Sequence, residues 1–229
     1  FLTFEALEKG RVSMDQRFRI SEAVWRMGGS QMFLEVGERV AVRKLLTGML
    51  VAGGNDAARA LAEGLAGSRE SFVRRMNRRA ASLGLDNTLF ANPSGLPAPR
   101  THTTAEDMAR LARLLVQRFP ERSDLFRTES IRHNGITQYN GNRLLGRLPG
   151  VDGLLTGYID KAGYHLVTTA HRDEERLVGV VLGAPSSGAR FDAMQALINH
   201  GFRFYESKTL FAGDPVVHKG RVWQGTRAK

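Results

Sequence analysis

The sequence predicts an α+β domain, a helical cluster beside an antiparallel sheet, and three observations carry that prediction. Apolar residues recur at helical spacing through the first half of the chain. After Pro120 the pattern changes to β-rich runs punctuated by turn residues. A single closing segment returns to helical spacing. Helices first, then consecutive strands, then a helix is the order of an α+β fold rather than of alternating β–α units. The 229 residues, 42% of them hydrophobic, suit one sizeable domain plus a short appendage, with enough chain to bury a large core without covalent staples.

Taken in order, residues Phe1 to Lys9 read as the end of a helix whose apolar positions are Phe1, Leu2, Phe4 and Leu7, stopped by Gly10. Arg17 to Ile20 reads as a short strand, and Gly28-Gly29 marks a loop. Val42 to Val51 reads as a helix with a stripe of Leu45, Leu46, Met49 and Leu50, ending at Gly53-Gly54. Asn55-Asp56 are expected to cap a second helix reaching about Leu65. A third begins at Gly67-Ser68, buries Phe72, Val73, Met76 and Leu83, and carries Arg74, Arg75, Arg78 and Arg79 outside. Ala91 to Arg100 is a Pro- and Gly-containing loop, and Thr104 caps a helix with Met108, Leu111, Leu114 and Leu115 inside. Asn134-Gly135 is a strong hairpin dipeptide within Ile131 to Tyr139. Tyr164 to Ala170 and Leu177 to Leu182 read as strands, and about Ala189 to Phe204 as the closing helix. Residues 1–208 are assigned to one domain, and 209–229 to a linker and the first strands of a β-rich second module.

Composition narrows the chemistry. With no cysteine there are no disulfides, no thiol catalysis and no Cys-containing metal site. The six histidines show no paired metal-ligand spacing, so no metal and no cofactor is expected. No run of 18 uncharged apolar residues encodes a membrane-spanning helix. The net charge of +10 favours anionic partners. The basic residues are scattered and lack the aromatic or zinc-finger companions of a nucleic-acid reader, so no specific nucleic-acid partner is expected.

Several segments together carry more than composition does. They include Gly29-Ser30-Gln31-Met32-Phe33-Leu34, Gly54-Asn55-Asp56-Ala57 and Leu83-Gly84-Leu85. Further along come Thr104-Ala105-Glu106-Asp107-Met108-Ala109 and Val151-Asp152-Gly153, and then the most specific run, Thr156-Gly157 through Asp160-Lys161-Ala162-Gly163-Tyr164. In this order, over nearly the whole chain, they resemble the D-alanyl-D-alanine carboxypeptidase family, the low-molecular-weight penicillin-binding proteins of serine-peptidase type. The resemblance implies a penicillin-binding-protein/β-lactamase-like transpeptidase fold and a peptidoglycan stem peptide ending in D-Ala-D-Ala as partner. It also implies a periplasmic location, with membrane attachment only through a segment outside this chain.

The family's chemistry uses three motifs around one cleft: S-x-x-K, with the nucleophilic Ser and its activating Lys, then S-x-N, then K-T-G. By resemblance the S-x-x-K segment is expected upstream of Phe1, together with the family's first strands. No serine weighed as a local substitute (Ser30, Ser68, Ser71, Ser82, Ser94) has a lysine three residues on, and Arg74 after Ser71 stays charged and cannot act as a base. The S-x-N position reads Gly53-Gly54-Asn55 and the K-T-G position Leu155-Thr156-Gly157. Gly53 and Leu155 are thus degenerate catalytic positions. Asn55, Thr156, Gly157 and, by resemblance, Arg190 are the expected substrate-binding residues. Read alone, Arg190 would be a surface charge at a helix start. Two functions follow as expectations. One is a peptidoglycan-binding or regulatory remnant without the usual activity, holding β-lactams at most weakly. The other is an active carboxypeptidase whose nucleophile lies upstream and which tolerates Gly53 and Leu155.

Overall fold

The computed structural model describes residues 1–206 and 208. The Val216-Val217 and Val222-Trp223 segments, expected to start a second module, lie outside the described residues.

Helix α1 (Leu2–Glu8) buries Phe4, whose ring meets Phe119 and Phe126 edge-on at 5.4 and 6.0 Å. β1 (Arg17–Arg19) pairs antiparallel with β2 (Arg39–Ala41), placing Phe18 opposite Val40, and the one-turn helix α2 (Glu22–Trp25) lies between them in sequence. The sequence reading missed both β2 and α2. Strands of three residues have no periodicity of their own, and only the pairing across some twenty residues defines them.

The centre of the domain is α3 (Val42–Ala52), with Val42, Leu45, Leu46, Leu50 and Val51 all buried. Burial on several sides marks a core helix rather than a surface one. α4 (Asn55–Ala66) packs against it with a face of alanines and Leu61. Small residues there let the two helices approach closely. α5 (Arg69–Ser82) starts at Ser68, whose hydroxyl accepts the amide N–H of Ser71, and α6 (Ala105–Arg118) starts at Thr104 in the same way with Asp107. A 3-10 turn at Pro120–Arg122 and the short α7 (Ser123–Arg127) lead into the strands.

The hairpin β3 (Ser130–His133) and β4 (Ile136–Tyr139) turns at Asn134-Gly135, both with positive φ (46° and 77°), as a type I′ turn demands. The main sheet has the order β5-β6-β7, all antiparallel: β5 (Val151–Ile159), β6 (Gly163–Arg172) and β7 (Glu175–Ala184). The strands run longer than the apolar segments that signalled them, because ladder pairing extends through polar residues such as His171 and Arg172.

The two faces of the sheet are covered differently. Leu166 and Ala170 of β6 meet Phe191, Met194 and Ile198 of the closing helix α8 (Ser187–Phe204). Val167, one residue away and so on the opposite face, packs with the main core around α3. β5 and β7 are the edge strands among the described residues, and β5 contacts α3 and α7.

One local expectation is corrected. Asn55 and Asp56 do not precede and cap α4: the helix begins at Asn55, and the N-cap position is Gly54, which makes no side-chain bond. Both side chains are instead directed chiefly at a loop 22 to 27 residues earlier in the chain.

Candidate active site

The α3–α4 corner is formed by Gly53 in the left-handed conformation (φ 63°, ψ 30°), followed by extended Gly54. Only glycine enters that region without strain. Asn55 then bonds twice to the loop around Gly28. Its backbone N–H donates to the Ser30 carbonyl at 2.8 Å and its Nδ2 to the Gly28 carbonyl at 2.8 Å. No hydrogen bond engages Oδ1 of Asn55 among the described residues. Asp56 is almost fully buried (1% exposed). Its carboxylate accepts the amide N–H of Met32 (3.0 and 3.1 Å to its two oxygens), of Leu34 (3.2 Å) and of Ala57 (2.8 Å). A negative charge in the first turn of a helix is also favoured by the helix dipole. Asp56 is therefore the anchor that fixes loop 28–34 against Asn55.

Gly53 carries no hydroxyl. A Cβ built there meets only the Cβ of Ser30, at 3.9 Å. The corner therefore has room for a side chain, and backbone conformation rather than crowding favours glycine.

On the other wall, Leu155, Thr156 and Gly157 lie on β5 opposite Val167, Leu166 and His165. Leu155 turns into the domain, packs against the main core, and lines an apolar cavity of about 310 Å³ with Met49, Ala58 and Leu61. Its side chain carries no charge and offers no hydrogen bond. Thr156 lies against Gly141, where an added Cβ would come within 2.5 Å of Oγ1. The Gly141 N–H donates to the Val51 carbonyl at 3.3 Å, two residues before Gly53. Through Gly141, Thr156 lies close to the C-terminal end of α3.

Gly157 needs no special backbone conformation, and a Cβ there would find only His165 atoms, at 3.9 Å. Nothing within the protein requires glycine at this edge-strand position. Close approach of another chain or ligand to a strand edge is the usual reason for one.

Arg190, in the first turn of α8, is buried rather than a surface charge (8% exposed). Its Nη1 donates to the carbonyls of Gly157 (3.1 Å) and His165 (3.3 Å), and its guanidinium lies over the rings of Phe191 and Tyr164. Burial, and then the nearby charge of Arg143, push its pKa below the usual arginine value. No carboxylate pairs with Arg190 or Arg143 among the described residues, so this end of β5 holds two uncompensated cations. Burial, and then Arg190, push the pKa of His165 below the ordinary histidine value, and its Nδ1 accepts the Gly183 N–H at 3.0 Å.

Sequence reasoning missed Arg143 and the asparagines that flank Gly141. Asn142 is 2% exposed and donates through Nδ2 to the Gly153 carbonyl and the Thr168 hydroxyl, both at 3.1 Å, while its Oδ1 accepts the Leu144 N–H. Asn140 ties the same connection to the Thr128 carbonyl. The run Asn140-Gly141-Asn142 was the available signal, since such residues favour side-chain-to-backbone bonds in turns. Lys161 sits exposed in the β5–β6 turn. Among the described residues no group of three or more His, Asp or Glu side chains could hold a metal, and no helix is long and apolar enough to cross a membrane.

A helical cluster around α3 beside an antiparallel sheet that α8 covers on one face is the α+β transpeptidase fold of penicillin-binding proteins. The structure superposes with a TM-score of 0.88 on the D-alanyl-D-alanine carboxypeptidase DacD of Francisella tularensis (32% identity, 93% of this chain, 64% of that one). It also matches penicillin-binding protein 6B of Escherichia coli with a TM-score of 0.88 (35% identity, 93% and 70%). The sequence profile of the D-alanyl-D-alanine carboxypeptidase family, peptidase S11, matches residues 1–186, and the chain belongs to that family. Curated relatives include DacF of Bacillus subtilis, 38% identical over 98% of this chain, and DacC of E. coli, 37% identical over 100% of this chain. The chain spans 59% of the length of each.

Proposed function

We propose that this domain binds the D-Ala-D-Ala end of a peptidoglycan stem peptide in the cleft between Asn55 and the Thr156-Gly157 edge, on the outer face of the cytoplasmic membrane or in the periplasm, without the usual acyl transfer. The packing of the half-buried Leu155 against the core supports this reading. At that position the family's mechanism uses a cation, and here the side chain offers neither charge nor hydrogen bond. Gly53 likewise offers no hydroxyl for proton relay. Groups that act as a unit in acyl transfer typically lose ~10³-fold or more in rate when one is removed.

The groups that recognise rather than react are present. The free edge of β5 can accept an extended peptide through backbone bonds. Gly157 permits its close approach, Thr156 offers a hydroxyl, and Asn55 offers an unengaged Oδ1. Arg190 and Arg143 supply the positive potential that a terminal carboxylate needs. A carboxylate beside two cations that lack counter-ions gains more than one added to an existing ion pair.

The test uses diacetyl-Lys-D-Ala-D-Ala with the purified chain. Saturable binding by calorimetry is expected, with no release of free D-Ala. Intact mass after long incubation with ampicillin should show no covalent adduct. Release of D-Ala, or a stoichiometric adduct mapped to a serine or threonine, would overturn the non-catalytic reading and support an active carboxypeptidase. Absence of saturable binding would overturn the recognition reading.

A further inference from the structure

We propose a second binding site, at the opposite end of α4 from the cleft, for a phosphate-class oxyanion. A cavity of about 360 Å³ opens between α1, β1, the end of α4 and α5. That volume falls in the range of small-ligand sites. Four cations line it: Lys9, Arg11, Arg75 and Arg78. None of them forms an ion pair among the described residues, although Arg75 is steadied by a 2.9 Å bond from Nη1 to the Leu65 carbonyl.

The one carboxylate on the lining is Glu5, and it is already taken. Its Oε1 accepts from Arg79 and from Arg118, each at 2.7 Å. The cavity therefore holds an uncompensated positive charge. Val12, Phe18 and Phe72 form an apolar floor, while the four cations stand exposed around it, so their attraction for an anion weakens as salt rises. Four like charges around one cavity repel one another, and an anion of charge two or more relieves this at a single position. Three of the four are arginines, whose planar fork matches the oxygens of phosphate in bidentate fashion.

The site is separate from the peptide cleft. Asn55 opens α4 and Leu65, at the cavity, lies ten residues on, about 15 Å along the helix axis. Only an anion smaller than the cavity is specified by this geometry, so a phosphate group on a larger molecule and a free phosphate are read by the same side chains. This proposal does not depend on what the cleft does.

The probe is inorganic pyrophosphate in metal-free buffer, against sodium chloride at matched ionic strength, with calorimetry and thermal unfolding as readouts. Arg11→Gln with Arg78→Gln is compared with Arg132→Gln plus Arg147→Gln, a pair of exposed arginines outside the cavity that removes the same net charge. Saturable binding is expected for the unaltered chain, weakened about tenfold or more by the first pair and little changed by the second. If the first pair fails to fold, Lys9→Gln alone should weaken binding about threefold. Equal weakening by both pairs, or no stabilisation beyond that of chloride, overturns the site. Phenyl phosphate then separates sources: tighter binding than inorganic phosphate supports an esterified phosphate with its organic part on the apolar floor, and equal binding supports the free ion.

Discussion

Replacing Asp56 with alanine tests whether one carboxylate assembles the recognition cleft. Its oxygens receive the amide N–H groups of Met32, Leu34 and Ala57, and both Met32 and Leu34 are buried (0% and 3% exposed). Hydrogen bonds to a charged group contribute roughly 1.5–3 kcal/mol each, and a buried donor left without a partner costs about 1–3 kcal/mol. Water can enter at the loop and rescue part of this, and the desolvation of Asp56 itself is relieved. The net loss expected is about 3–5 kcal/mol, a large share of the roughly 5–15 kcal/mol that holds a typical domain folded. Urea titration followed by circular dichroism should show a lowered midpoint with an unchanged slope. Asp56→Asn keeps the shape and one acceptor, and should lose about half as much. Because Asn55 is positioned by the same loop, either variant should weaken D-Ala-D-Ala peptide binding under conditions where it is still folded. A midpoint change equivalent to less than ~1 kcal/mol for Asp56→Ala would refute the claim that this carboxylate is the anchor.

Leu155→Lys places an ammonium in an apolar lining and should destabilise the domain by about 1–3 kcal/mol, read by urea titration. Gly141→Ala forces a Cβ to within 2.5 Å of the Thr156 hydroxyl; peptide affinity should fall several-fold, about 1 kcal/mol, in calorimetry, with a smaller effect on the urea midpoint. Stability should also fall on acidification through His165. Burial and Arg190 hold its folded pKa below the ordinary value of 6.5, so the unfolded chain takes up the proton first as pH drops. The stability that His165 contributes is present above about pH 6.5 and is lost as pH falls toward its lower folded value. His165→Gln should flatten that part of a midpoint-against-pH profile.

Much of this protein was legible in the sequence because the relevant signals are local. Helical periodicity marked α3 through α6 and α8, and Ser68 and Thr104 cap as hydroxyl residues at helix starts do. Asn134-Gly135 forced a turn that only a pair of positive φ angles can make. The run from Thr156 to Tyr164 falls across the β5–β6 hairpin, and the order of segments pointed to the family. What the sequence could not decide depends on residues far apart in the chain. β1 and β2 exist only through each other. Asp56 looked like a helix cap, and its role as the clasp of loop 28–34 appears only when that loop is folded over it. Arg190 had the spacing of a surface charge, yet the turn of α8 onto the sheet buries it against the Gly157 carbonyl. Leu155 alone said only that an apolar residue stands at that position. Tertiary packing added that its side chain, half-buried, lies against the main core beside Met49 and Ala58, where a leucine finds apolar contacts.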